Sequence, residues 1–162
     1  MRVPRLKQPF AMPAKGGDGP LASRDLQELW FATQRRAWKT LVVVPADSGV
    51  DPMPVALALG EFGGRHRGRP LLVTSTAGLD LMEVGNLVAD LTLREGAPGG
   101  QTIISIEPVA DNPLGIAATM AADAAILVVG LGNTTLLQAR HTIEQIGAEL
   151  FLGCVVVAPS RR

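Results

Sequence analysis

Thr40-Leu41-Val42-Val43-Val44-Pro45-Ala46-Asp47-Ser48-Gly49-Val50-Asp51-Pro52-Met53 is the stretch that decides the fold. Its first five residues are β-rich and apolar without alternation, as in a parallel strand buried on both faces. A small-residue turn follows, and Asp51-Pro52 then reads as a helix start, with an acidic N-cap and proline at the first helical position. The strand–turn–helix unit recurs outward from here. Further apolar runs fall at residues 70–74, 102–106, 125–129 and 154–157, with helices expected at 53–62, 79–93, 113–122 and 134–149. The last helix has the clearest amphipathic spacing, with Leu136, Leu137, Ala139, Ile143, Ile146 and Leu150 set against Gln138, Arg140, Glu144 and Gln145. Alternating strands and helices predict an α/β domain, a three-layer, doubly wound, mainly parallel sheet of the Rossmann or P-loop kind.

Upstream, Ser23 is placed to cap a helix reaching about residue 37, with Leu26, Leu29, Trp30 and Thr33 along one side. Residues 1–20 carry four prolines, Gly16-Gly17, three arginines or lysines near the start and Lys15, and read as a mobile basic tail before a single domain at 21–162. The chain has 162 residues, 47% of them apolar and 4% aromatic, which suits aliphatic strands under Ala- and Leu-rich helices. A net charge of zero excludes the strongly basic footprint of a nucleic-acid binder. No apolar run approaches the ~20 residues of a membrane span, and the N-terminus lacks a secretory apolar segment, so a cytoplasmic protein is expected.

Isolated reactive residues are few. Cys154 is the single cysteine; it excludes an intrachain disulfide and reads as a small buried hydrophobe. No Cys/His cluster offers a metal site. Ser48 has no identifiable base, His141 is spaced to pair with Glu144, and His66 lies with Arg65, Arg67 and Arg69 in a polar turn at 63–69 that could meet an anionic partner. Trp30, Phe31 and Trp38 mark a packing surface or an interface, and Arg35 sits beside them as a further contact candidate.

In a doubly wound sheet the first strand–turn–helix is the usual phosphate cradle. A working P-loop needs glycines that expose backbone N–H groups, a lysine for the β/γ-phosphates and Ser/Thr for Mg²⁺. Here Gly49 and Val50 lead to Asp51 at the second glycine's position, where its charge would repel a phosphate ~4 Å away by roughly 1 kcal/mol in water and several-fold more in a cleft. Pro52 replaces the lysine, removing both a cation and an N–H donor, and Met53 cannot ligate Mg²⁺. No bound cofactor is expected.

At this point the order of parts resembles the cytoplasmic bacterial tyrosine kinases (BY-kinases) of capsule and exopolysaccharide synthesis, themselves similar to the ParA/MinD P-loop ATPases. Ile103-Ile104-Ser105-Ile106-Glu107-Pro108-Val109, followed by Ala121-Ala122-Asp123-Ala124-Ala125-Ile126-Leu127-Val128-Val129, is similar to that family's "IIDTPPV … ADGVLLVV" segment. Gly68-Arg69-Pro70-Leu71-Leu72-Val73 resembles its "GKRVLLIDAD" strand, and residues 26–39 resemble the helix before its P-loop strand. The likeness spans about residues 21–159. Residues 72–78 also resemble the strand before a P-loop; in that register Leu81 would take the lysine's place.

The departures carry the functional expectation. Ser105 stands where the resemblance implies a Walker-B-type aspartate, and Thr74 and Thr76 stand near the second strand's two aspartates. No tyrosine occurs anywhere, so the family's tyrosine cluster is missing, and Phe31 and Gln34 fall where self-association arginines are implied. The resemblance therefore implies a silent pseudo-kinase, a scaffold or regulator in exopolysaccharide assembly. Its implied partner is the cytoplasmic segment of a membrane polysaccharide co-polymerase or another copy, with contact to the membrane only through that partner. Two other readings stay open: a divergent nucleotide-binding ATPase or phosphotransferase using Ser48, Thr74 or Ser105, and a ParA/MinD-like positioning or secretion adaptor.

Overall fold

The structure is a computed structural model that describes residues 23–94 and 100–158; the N-terminal tail lies outside the described residues. Five strands form one all-parallel sheet: β1 (Thr40–Pro45), β2 (Leu72–Ser75), β3 (Thr102–Ser105), β4 (Ala124–Gly130) and β5 (Phe151–Val157), in the order β2-β3-β1-β4-β5. Between and before them run α1 (Ser23–Thr33), α2 (Met53–Arg67), α3 (Leu81–Arg94), α4 (Leu114–Met120) and α5 (Leu136–Ile146), with a short 3₁₀ turn at Ala148–Leu150. The fold class expected from the repeated strand–turn–helix pattern is the one found.

Every residue of β1 is buried, and successive side chains serve opposite layers. Leu41 and Val43 join Trp30, Trp38, Val55 and Leu59, the layer of α1 and α2. Val42 and Val44 join Ile104, Ile106, Leu91 and Ile146, the layer of α3, α4 and α5. A strand apolar at every position is what a sheet covered on both faces requires.

Element ends depart from expectation for local reasons. α1 stops at Thr33, short of residue 37. The buried Thr33 hydroxyl donates to the Trp30 carbonyl at 2.7 Å, and the Trp38 indole N–H donates to the Thr33 carbonyl at 3.0 Å, taking the acceptor that the next helical turn would use. α2 continues through residues 63–67, where a turn was expected, and closes at Gly68 in the left-handed region with φ 69°. Within it Gly63 leaves room for Trp30: a Cβ there would stand 2.4 Å from the Trp30 ring. α3 begins at Leu81, capped reciprocally by Asp80 and Glu83, each accepting the other's backbone N–H at 2.8 Å. α5 begins at Leu136 behind a Thr135/Gln138 capping box and ends at Gly147.

Two side-chain expectations are corrected. Glu144 pairs with Arg140 at 2.9 Å, four residues away, so the anticipated His141–Glu144 pair does not form among the described residues. Cys154 is exposed, since β5 is an edge strand and the positions of Cys154 and Val156 are left open. It follows that Cys154 is accessible to reagent in the folded protein. One equivalent of a chromogenic disulfide reagent is expected to label the native chain at a rate little changed by denaturant; slow labelling accelerated by unfolding would show a buried thiol.

Candidate functional site at the carboxyl edge

α2 leaves β1 on one face of the sheet, whereas the helices after β3 and β4 leave on the other. The loops diverge at the carboxyl end of β1, the position where doubly wound sheets form their ligand crevice. β2 is an edge strand, so the loop that follows it lies away from this divergence.

The β1–α2 loop, residues 46–52, uses its own acids to satisfy its own donors. Asp47 Oδ1 accepts the Gly49 N–H at 2.7 Å, the Asp47 carbonyl accepts the Val50 N–H at 3.3 Å, and Asp51 Oδ1 accepts the Met53 N–H at 3.0 Å. Pro52 supplies no N–H and stands at the N-cap with helical angles, φ −78° and ψ −15°, so α2 starts one residue later than expected, with Asp51 just ahead of it accepting the Met53 N–H. Three of the backbone donors that a phosphate would need are thus taken by groups within the loop.

Neighbouring loops hold this arrangement in place. The Thr134 hydroxyl donates to Asp47 Oδ2 and accepts the Gly130 N–H at 2.9 Å, fastening the β1 loop to the end of β4. Ser48 Oγ donates to Asp111 Oδ2 at 2.6 Å, reaching the loop after β3. Ser48 thus has a carboxylate partner that spacing alone did not reveal, since 63 residues separate the two. Without a histidine between them the pair is a structural tie; a carboxylate alone is a weak base for a serine hydroxyl. Asn112 donates to Glu107 at 2.6 Å and accepts the Leu114 N–H at 3.1 Å, setting the start of α4. Val50 packs on Gly130, where a Cβ would come within 2.8 Å of its methyl.

The loops at this edge, residues 46–52, 76–80, 106–113 and 131–135, contain Asp47, Asp51, Asp80, Glu107 and Asp111 and no lysine or arginine. The residues singled out from sequence are only partly gathered here. Gly49, Val50, Asp51, Pro52 and Met53 form the loop, and Ser105, buried at the end of β3, lies on the adjacent strand. Thr74 and Thr76 belong to β2 and its following loop, beyond β3; Thr76 is buried and its N–H donates to the Ser105 carbonyl at 2.9 Å. Asp47, Asp111 and Thr134 carry no sequence signal of their own, except that an Asp before Ser-Gly marks a turn at the first.

The proposed contact residues are redistributed. Trp30 and Trp38 are core, 0% and 6% exposed and edge-to-face with centroids 6.2 Å apart, so they are unavailable as an interface. Their indole N–H groups are spent inside the fold, Trp30 on His66 Nδ1 at 3.3 Å and Trp38 on Thr33. Phe31 is half exposed and packs edge-on to His66. Arg65 pairs with Glu61, Arg67 lies over the Trp30 ring and bonds Gln34, and Arg35 is exposed. All three belong to the amino edge of the sheet, opposite the crevice.

Fold and site together define a doubly wound α/β domain of the Rossmann or P-loop-like kind with an acidic, internally bonded loop at its switch point. No family model matches the chain, and no curated protein matches its sequence. Among the described residues no helix is long and apolar enough to cross a membrane, and no group of three or more His, Cys, Asp or Glu is placed to hold a metal ion.

Proposed function

We propose that this chain is a pseudo-enzyme that binds partner proteins on a doubly wound scaffold, a catalytically silent relative of the BY-kinases serving as scaffold or regulator in exopolysaccharide assembly. One observation carries the silent-site part: at the crevice, Asp47 and Asp51 occupy backbone donors that a nucleotide's phosphates would require. An approaching triphosphate would have to break those bonds and face uncompensated carboxylates, with like-charge repulsion of several kcal/mol in a sheltered cleft at ~4 Å. The exopolysaccharide part rests on the ordered resemblance of residues 21–159, and its natural partner is the cytoplasmic segment of a polysaccharide co-polymerase.

Calorimetric titration with ATP and Mg²⁺ is expected to give no saturable heat at millimolar nucleotide, and no rise in melting temperature. Micromolar binding would overturn the silent-site reading. A binding assay against the co-polymerase segment tests the scaffold role separately, and a null result there with no nucleotide binding would remove the exopolysaccharide assignment.

A further inference from the structure

The two ends of the sheet carry opposite chemistry. At the amino edge, opposite the crevice, a shallow groove of about 810 Å³ is lined by residues that include Arg36, Lys39, Arg67, Arg69 and Gln101. Asp123 is the one acid along it among the described residues, and its carboxylate is engaged by the Lys39 and Thr40 backbone N–H groups at 2.7 and 3.0 Å. Arg36 is likewise committed, donating to the carbonyls of Asp123, Glu149 and Leu150. Arg69 makes no side-chain hydrogen bond or ion pair among the described residues, and Arg67 has only the amide oxygen of Gln34 and the Trp30 face.

A second observation comes from the groove's own wall. Gln101 Nε2 donates to the Trp38 carbonyl at 3.0 Å, which fixes the amide's orientation, because reversing it would set oxygen against oxygen. Gln101 Oε1 is then buried without a partner, the one such side-chain atom among the described residues. A buried acceptor left unpaired is unfavourable by about 1–3 kcal/mol, and this one lies out of a ligand's reach, so Gln101 shapes the groove's wall.

We infer that this amino-edge groove is the docking site for an acidic peptide segment of a partner protein, its carboxylates on Arg67 and Arg69. Guanidinium forks match carboxylates in two-bonded geometry. The inference deepens the protein-binding reading above by giving the partner's chemistry.

The test is fluorescence anisotropy of a labelled peptide rich in Asp and Glu, about ten residues long, with tripolyphosphate as competitor and an uncharged peptide as control. Saturable binding that weakens about tenfold as salt rises is expected. Arg69→Glu should weaken it at least about fivefold and Arg67→Glu/Arg69→Glu at least about twentyfold, by the reversed charge at the groove. Tripolyphosphate binding tighter than that of the peptide would overturn the peptide assignment. Circular dichroism melts confirm that each variant is folded. Absent peptide binding, binding within twofold of wild type for the folded double variant, or equal affinity for the uncharged peptide would overturn the proposal. MgATP titration of the same variants separates the two claims: nucleotide binding that ignores Arg67 and Arg69 would sink the silent crevice and leave the groove standing.

Discussion

Gly63→Val is expected to destabilise the domain by about 3 kcal/mol, lowering the melting temperature by about 10 °C. The reason is the close approach of two elements distant in sequence. An added Cβ would lie 2.4 Å from Cη2 and Cζ3 of Trp30, far inside contact distance. The indole has no free direction to yield, being fully buried against Trp38 and Phe62 with its N–H held by His66. Improved helix propensity recovers less than about 1 kcal/mol. The cause is checked by a second substitution: in a Trp30→Leu background, Gly63→Val should be milder by at least about 1 kcal/mol, the coupling of a touching pair. Additive effects in urea melts would show that the clash is not the cause. Gly85 supplies the contrast. A Cβ there meets nothing within 4 Å, so Gly85→Ala in α3 should stabilise by about 0.5–1 kcal/mol.

Asp123→Ala is expected to destabilise by about 2 kcal/mol. This carboxylate accepts the N–H groups of Lys39 and Thr40 just where β1 begins, its backbone N–H donates to the Thr40 carbonyl, and its carbonyl accepts from Arg36. It thereby ties the start of β4 to the start of β1 and, through Arg36, to the turn before β5. Truncation strands two backbone donors at the entry to the central strand; water reaches them in part, which keeps the loss moderate. Asn retains an acceptor, so Asp123→Asn should recover at least half of the loss. Equal melts for Ala and wild type would show that solvent replaces the carboxylate fully.

Asp123 also shows how legibility in this chain divides. Its place before a β-rich run was visible, and the strand and helix sequence around it was readable from periodicity alone: all five strands and all five helices were anticipated. Their ends were less readable. Nothing in residues 63–67 says helix, because two successive glycines and a basic cluster ordinarily mark a turn; the helix runs on to its Gly68 cap, and Gly63 gives the Trp30 indole a surface without a side chain. The Trp30 and Trp38 side chains were equally ambiguous, since an aromatic on a helix suits core and interface alike until the opposing layer is known. The exposure of Cys154 has a related reason: an apolar run tells of strand formation and leaves open whether the strand is central or at an edge.

At the crevice the same division holds. The absence of lysine, the presence of Asp51-Pro52 and the lack of Mg²⁺-type ligands are properties of residue identity and spacing, and they were legible before any fold was known. The engagement of Asp47 by Thr134, the Ser48–Asp111 bond and the buried, unpaired Gln101 oxygen were not.

The chain alone determined which segments become strand or helix, that the sheet is parallel, and that a cation is missing from the first loop, since these follow from side-chain type and period over a few neighbouring residues. Tertiary structure alone decided the strand order, which glycines are close-packed, which groups the loop carboxylates bond and where the basic residues gather. Those depend on contacts between groups tens of residues apart, and such contacts are set by how the layers pack, which no local pattern encodes.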